Sequence, residues 1–96
     1  MAEMDESQRQ SQAWVGDGVL GLYARMRILR QTGKVDGAAF ARMTSNQFLS
    51  AFGDPTSVEA EIGRVFEQGG LEEAFRWIEH KLTPVFERQE RNRARR

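Results

Sequence analysis

The stretch Gln12–Arg30 constrains the fold more than any other part of this chain. Five of its apolar side chains recur at alternating steps of four and three, which is the spacing of one stripe on an α-helix: Val15, Val19, Leu22, Met26 and Leu29. The opposite side of the same helix is also apolar or small, with Ala13, Gly21, Ala24 and Ile28. We therefore predict a central helix whose first half is contacted on most sides.

Asp17 is the exception within this helix, because it shares a side with small and apolar residues. A carboxylate in such surroundings must be paired or protonated, since desolvating an unpaired charge costs several kcal/mol. Gly16, Gly18 and Gly21 surround it, although each glycine inside a helix costs roughly 1 kcal/mol relative to alanine. We predict that another backbone, or a ligand, comes very close to the helix at Asp17.

Length and composition exclude several classes of protein. Ninety-six residues make one domain with a modest core. The 14 basic and 14 acidic residues cancel, so a global field does not favour nucleic-acid binding, and the absence of cysteine excludes disulfides and thiolate metal sites. No apolar run reaches the roughly 18 residues of a membrane span and the N-terminus does not resemble a signal peptide, so we expect a soluble cytoplasmic protein.

The pattern divides the chain into a polar lead-in at 1–11, a helical domain at 12–87 and an arginine-rich tail at 88–96. The lead-in is either frayed or a short helix that faces solvent. No segment alternates with the period of two that is typical of a strand, so we predict an all-α domain of about four to six helices.

Turn and cap residues place the helix boundaries. Asp36 and Asp54 are predicted helix caps, and Pro55 suits the first helical position after Asp54. Gly69-Gly70 predicts a break. A long last helix is expected to start at Leu71 and to kink at Pro84, since proline removes a backbone donor.

Three segments resemble the catalytic domain of the ribonuclease III family, and they occur in the family's order. The first, Trp14–Leu20, has an aromatic and an aliphatic residue before Gly-Asp-Gly and two aliphatic residues. The second, Met43–Ser50, carries a Ser-Asn pair on a helix. The third, Val58–Phe66, contains Glu-Ala, a glycine and an aliphatic-aromatic pair. The resemblance covers most of the chain between Ala13 and Leu82.

The resemblance implies an endoribonuclease that uses Mg²⁺, or Mn²⁺ in its place, to cleave double-stranded or structured RNA such as ribosomal RNA precursors. The family's two indispensable carboxylates match Asp17 and Glu59, which would hold the metal while a metal-activated water attacks phosphorus. Carboxylate oxygens are hard ligands suited to Mg²⁺. Each acid has a glycine one turn further on, Gly21 and Gly63, so we expect two helices to cross at those glycines.

The resemblance also implies partners. Trp14 matches an aromatic residue at a symmetric dimer interface, which predicts a homodimer; packing of Trp14 within its own subunit is the alternative. Ser45 and Asn46 are candidate RNA-binding residues, or simply helix caps. The basic tail offers three further RNA contacts, or only a solubilising end: Arg91, Arg93 and Arg95.

The chain departs from the family in ways that leave other functions open. Larger members carry further acids where this chain has Ala13 and Thr56, a difference that resembles the mini-ribonuclease III branch. The stretch between Asp17 and Glu59 is shorter than expected for that branch. One alternative is therefore a non-catalytic domain that binds RNA or protein.

A third hypothesis is a helical protein-interaction module whose motif matches are accidental. This hypothesis predicts a monomer in which Asp17 and Glu59 lie far apart. If Asp17 holds no metal, the alternative is a buried cap or an ion pair with Arg42 or Arg64.

Overall fold

A computed structural model describes residues 5–95. Over this range the chain forms α-helices and no strand, so the all-α class predicted from the sequence is confirmed. The helices are α1 (Glu6–Thr32), α2 (Gly37–Thr44), α3 (Asn46–Leu49), α4 (Pro55–Lys81) and α5 (Thr83–Ala94), with a 3-10 turn at Ser50–Phe52. None of the described helices is long and apolar enough to cross a membrane.

Side-chain caps decide where most of the helices begin. The Asp36 carboxylate accepts a hydrogen bond from the backbone N–H of Ala39, and Asp54 caps α4 with Pro55 as its first residue. Both predicted caps are confirmed. Asp5 begins α1 through a reciprocal capping box with Gln8, so the described part of the lead-in is the first turns of the central helix.

The second half of the chain follows the prediction at Gly70 but not at Pro84. Gly70 has φ 82° and ψ −178°, a non-helical conformation open essentially to glycine alone, so the predicted break is confirmed and α4 consists of two helical segments joined at a kink. Pro84 does not kink a long last helix, because α4 ends at Lys81 and Pro84 lies in the first turn of α5. A proline in a first turn removes no intrahelical hydrogen bond.

The predicted apolar stripe of α1 is only partly buried. Val19 is buried and Val15 is half-buried, but three members are 40–47% exposed: Leu22, Met26 and Leu29. Helix α1 packs against α4 chiefly through its other side: Ala13, Gly16, Leu20, Tyr23, Ala24 and Ile28. The small residues on this side favour it for the contact with α4, because they let the two helix backbones come closer. In the first half of the stretch Gln12–Arg30, Trp14, Asp17 and Gly18 are exposed as well, so the expectation that this half is contacted on most sides is wrong.

Polar contacts fix α1 to the end of α4 and to α5. The Tyr23 hydroxyl lies 3.0 Å from the Thr83 hydroxyl and donates to the Glu79 carboxylate. Burial, and then the bond to Glu79, raises the pKa of Tyr23. The buried Arg27 guanidinium donates to Glu87 over 2.9 Å. These contacts fix the second half of α1 against the end of α4 and against α5.

Candidate functional site

Helices α1 and α4 touch backbone to backbone at two glycines. A Cβ atom on Gly16 would lie 1.8 Å from the carbonyl oxygen of Glu59, and one on Gly63 would lie 2.0 Å from the carbonyl oxygen of Gln12. Neither position has room for a side chain. The predicted role of Gly63 at the crossing is confirmed, but Gly21 does not take part, because its side of α1 faces Arg25 and Phe40.

The crossing brings Asp17 and Glu59 together. Asp17 follows Gly16 directly, and the Glu59 backbone lies against Gly16. The side chains of Asp17 and Glu59 therefore both begin at this backbone contact. The two carboxyl groups are close enough to interact, since Asp17 contributes to the raised pKa of Glu59. This juxtaposition contradicts the hypothesis of a helical module in which the two acids lie far apart.

The acid pair opens to solvent rather than into the core. Glu59 is half-buried, whereas Asp17 is exposed. The predicted burial of Asp17 is wrong, although its neighbours one turn away on either side, Ala13 and Gly21, are buried. The arginines considered as its partners are paired elsewhere: Arg42 with Glu90 and Arg64 with Glu61.

The two carboxyl groups perturb each other electrostatically. The pKa of Glu59 is raised from 4.5 to about 7, first by burial, then by the hydrogen bond to Asp17, then by repulsion from its charge. Two carboxylates cannot hydrogen-bond to each other unless one holds a proton. Below about pH 7 Glu59 therefore holds a proton that it can donate to a neighbouring oxygen, and above about pH 7 it is ionised.

This raised pKa predicts how the free energy of unfolding changes with pH. Between about pH 4.5 and 7 the folded protein holds more protons than the unfolded chain, so the contribution of Glu59 is present below this window and is lost as the pH rises through 7. Glu59→Gln should remove this change and be more stable than the wild type by about 1 kcal/mol near pH 8, after allowance for solvent screening. Urea unfolding at about pH 5 and pH 8 measures both values. A variant with the pH dependence of the wild type would contradict the assignment.

The residues at the crossing fit a hard divalent cation. Mg²⁺ keeps several waters and commonly takes only one or two protein carboxylates together with phosphate oxygens. Asp17 and Glu59 supply that number, and a cation would relieve the repulsion that raises the pKa of Glu59. Within residues 5–95 no group of three or more His, Cys, Asp or Glu side chains could hold a metal ion together.

The other predicted site residues are not joined to the acid pair by any described hydrogen bond or ion pair. The Ser45 hydroxyl accepts from the Phe48 N–H over 3.0 Å and donates to the Arg42 carbonyl, so its observed role is the cap. Asn46 is exposed at the start of α3. The basic residues of the tail are exposed at the end of α5: Arg91, Arg93 and Arg95.

The prediction that another backbone comes very close to α1 around Asp17 is confirmed at Gly16, one of the three glycines named for it, and not at Gly18 or Gly21. Sequence reasoning missed one residue on this side of α1. Arg25 was passed over, although it follows Asp17 by two steps of four and therefore lies on the same ridge of α1. Its guanidinium carbon lies 4.2 Å from the centre of the Phe40 ring.

A cleft of about 510 Å³ lies elsewhere, between the ends of α1 and α5. Two of the three arginines that line it, Arg27 and Arg42, are engaged by Glu87 and Glu90, and the third is Arg91. The acid pair is the better candidate site, because two carboxyl groups meet there and neither forms an ion pair among the described residues. No protein-family model, curated protein or solved structure matches this chain. What the acid pair does must therefore be inferred from its chemistry and from the motifs that carry it.

Proposed function

We propose that this protein is a Mg²⁺-dependent endoribonuclease of the ribonuclease III type, close to the mini-ribonuclease III branch. It acts in the cytoplasm on double-stranded or structured RNA, such as ribosomal RNA precursors. The observation that carries the proposal is the meeting of Asp17 and Glu59, which stand 42 residues apart in the chain and occupy the positions of the family's two indispensable acids.

The two acids have different tasks in this proposal. Asp17, being exposed, presents its oxygens to the side from which RNA arrives. Glu59 gives up its proton near neutral pH and then completes the binding site with a second negative charge. When bound there, Mg²⁺ supplies activation of a water molecule and neutralises charge on the phosphate. As in the family, the products would carry a 5′ phosphate and a 3′ hydroxyl.

A direct assay tests this function. Purified protein is incubated with a long RNA duplex in Mg²⁺, and a matched reaction contains EDTA. We expect fragments with 5′ phosphates only in Mg²⁺. An intact duplex after prolonged incubation with Mg²⁺ and with Mn²⁺ would refute the proposal.

The second candidate is a non-catalytic ribonuclease III-like domain that binds RNA or a protein. The positions of the larger enzymes' additional acids favour it, because Ala13 and Thr56 supply no carboxylate beside the pair. This candidate predicts that the protein slows the migration of an RNA duplex in a gel without cutting it, or that it does not bind RNA. The same incubation therefore separates the two functions.

We also propose that two copies associate through α1. Trp14 is 83% exposed, which excludes its packing within its own subunit, and it lies on the exposed side of α1 together with Leu22, Met26 and Leu29. Two copies would supply the two sites needed to cut both strands of a duplex.

Trp14→Ala tests the association. Truncating a central tryptophan commonly costs 2–4 kcal/mol of binding, so the dimer dissociation constant should rise by about 30-fold or more. Sedimentation velocity over a range of protein concentrations measures it. Val35→Ala is the matched control, because it removes a side chain that is 90% exposed but lies outside α1. A wild type that sediments as a monomer at every concentration would refute the dimer.

A further inference from the structure

Arg25, two helical steps of four beyond Asp17 on α1, is held by a contact from a different helix. Its guanidinium lies over the Phe40 ring of α2, 4.2 Å from the ring centre. One of its nitrogens lies 3.1 Å from the place that a Cβ on Gly21 would occupy, so the side chain folds back along α1. Because Gly21 stands one turn after Asp17, the guanidinium lies about 6 Å further along the helix axis than the acid.

The guanidinium is available to a ligand. Within residues 5–95, Arg25 forms no ion pair and donates no side-chain hydrogen bond, and it is exposed. Five other arginines are engaged by carboxylates: Arg9, Arg27, Arg42, Arg64 and Arg76. The contact with Phe40 uses the face of the guanidinium, so its N–H edges remain open.

A phosphate group is the ligand that this arrangement suits best. The planar fork of an arginine matches two phosphate oxygens, and a guanidinium already held on an aromatic ring loses less conformational freedom on binding. Asp17 and Glu59 repel a polyanion unless a cation offsets them. A fixed positive charge on the same ridge of α1 draws the strand to the site.

We propose that Arg25 binds an RNA backbone phosphate beside the one at the acid pair and so positions the strand for cleavage. This inference rests on the proposed function. It makes Arg25 a positioning residue, and it gives Gly21 a role: the absence of a side chain lets the guanidinium lie against α1. Phe40, which comes from α2, holds the guanidinium in place.

Binding and its salt dependence test the proposal. The measurements use Glu59→Gln as the parent, so that the RNA stays intact, and fluorescence anisotropy of a short duplex between about 50 and 200 mM salt. Adding Arg25→Ala should weaken binding by about tenfold and should reduce the slope of log K against log salt by about 1, as for one lost phosphate contact. Arg25→Lys should keep most of the slope but bind more weakly, because lysine has no planar fork.

Arg30→Ala is the matched control, because it removes the same charge from an exposed position in the last turn of the same helix. It should leave the slope unchanged. Circular dichroism establishes that each variant is folded. If the wild type cuts duplex RNA while Arg25→Ala and Arg30→Ala change the slope equally, the role of Arg25 is wrong and the proposed function stands. If the wild type neither binds nor cuts duplex RNA, both are wrong.

Discussion

Asp17→Asn will abolish cleavage of duplex RNA while leaving the helices folded. The amide keeps the size of the side chain but removes half of the negative charge that would hold the cation. Loss of that charge stabilisation, worth several kcal/mol, corresponds to a fall in rate of about a thousandfold or more. Single-turnover cleavage of a labelled duplex measures the rate, and circular dichroism at 222 nm measures the helix content.

Glu72→Gln is the control for Asp17→Asn. It also neutralises one exposed carboxylate on a helix, but Glu72 lies in α4 beyond Gly70, away from the acid pair. We expect it to cut at the wild-type rate. Cleavage by Asp17→Asn at the rate of the wild type would remove Asp17 from the site and would end the assignment of the metal to this pair.

Gly16→Ala will destabilise the protein more than any other single methyl group added to α1. The new Cβ would lie 1.8 Å from the carbonyl oxygen of Glu59, and backbone cannot move aside as a flexible side chain can. Separating α1 from α4 would also expose Leu20 and Ile62, which are fully buried. We expect a loss of about 3 kcal/mol or more in the free energy of unfolding, measured by urea denaturation.

Gly18→Ala provides the matched comparison, two residues away on the same helix. Its Cβ would meet nothing within 4 Å, and alanine is favoured over glycine inside a helix by about 0.5–1 kcal/mol. This variant should therefore be slightly more stable than the wild type. Equal effects of the two substitutions would show that the helices do not meet backbone to backbone at Gly16.

The helix caps and the break at Gly70 could be predicted from the sequence. Asp36 and Asp54 cap the helices that they were predicted to cap, and the break at Gly70 is present, because each depends on the residue itself and on its immediate neighbours. The all-α class followed from the helical spacing of apolar residues in the same way. The choice of Asp17 and Glu59 had a different source, since it came from the resemblance to a family and not from periodicity.

The side of α1 that is buried could not be read from the sequence. Both sides carry apolar residues at helical spacing, and periodicity says nothing about which one meets α4. Backbone contact at Gly16 and Gly63 favoured the side with small residues, and this left Leu22, Met26 and Leu29 exposed. Asp17 is exposed although Ala13, Gly21 and Ala24 on the same side of α1 are buried, and the helical period could not predict this difference either.

The sequence by itself determined the helices and most of their ends, and it identified Asp17 and Glu59 as candidate site residues. Only the tertiary structure decided that these acids meet, that the pKa of Glu59 rises to about 7, and that the guanidinium of Arg25 lies over the Phe40 ring of α2. The physical reason is the range of the interactions. A cap or a helical period acts within a few residues, whereas the meeting of two carboxyl groups depends on how closely two separate backbones approach.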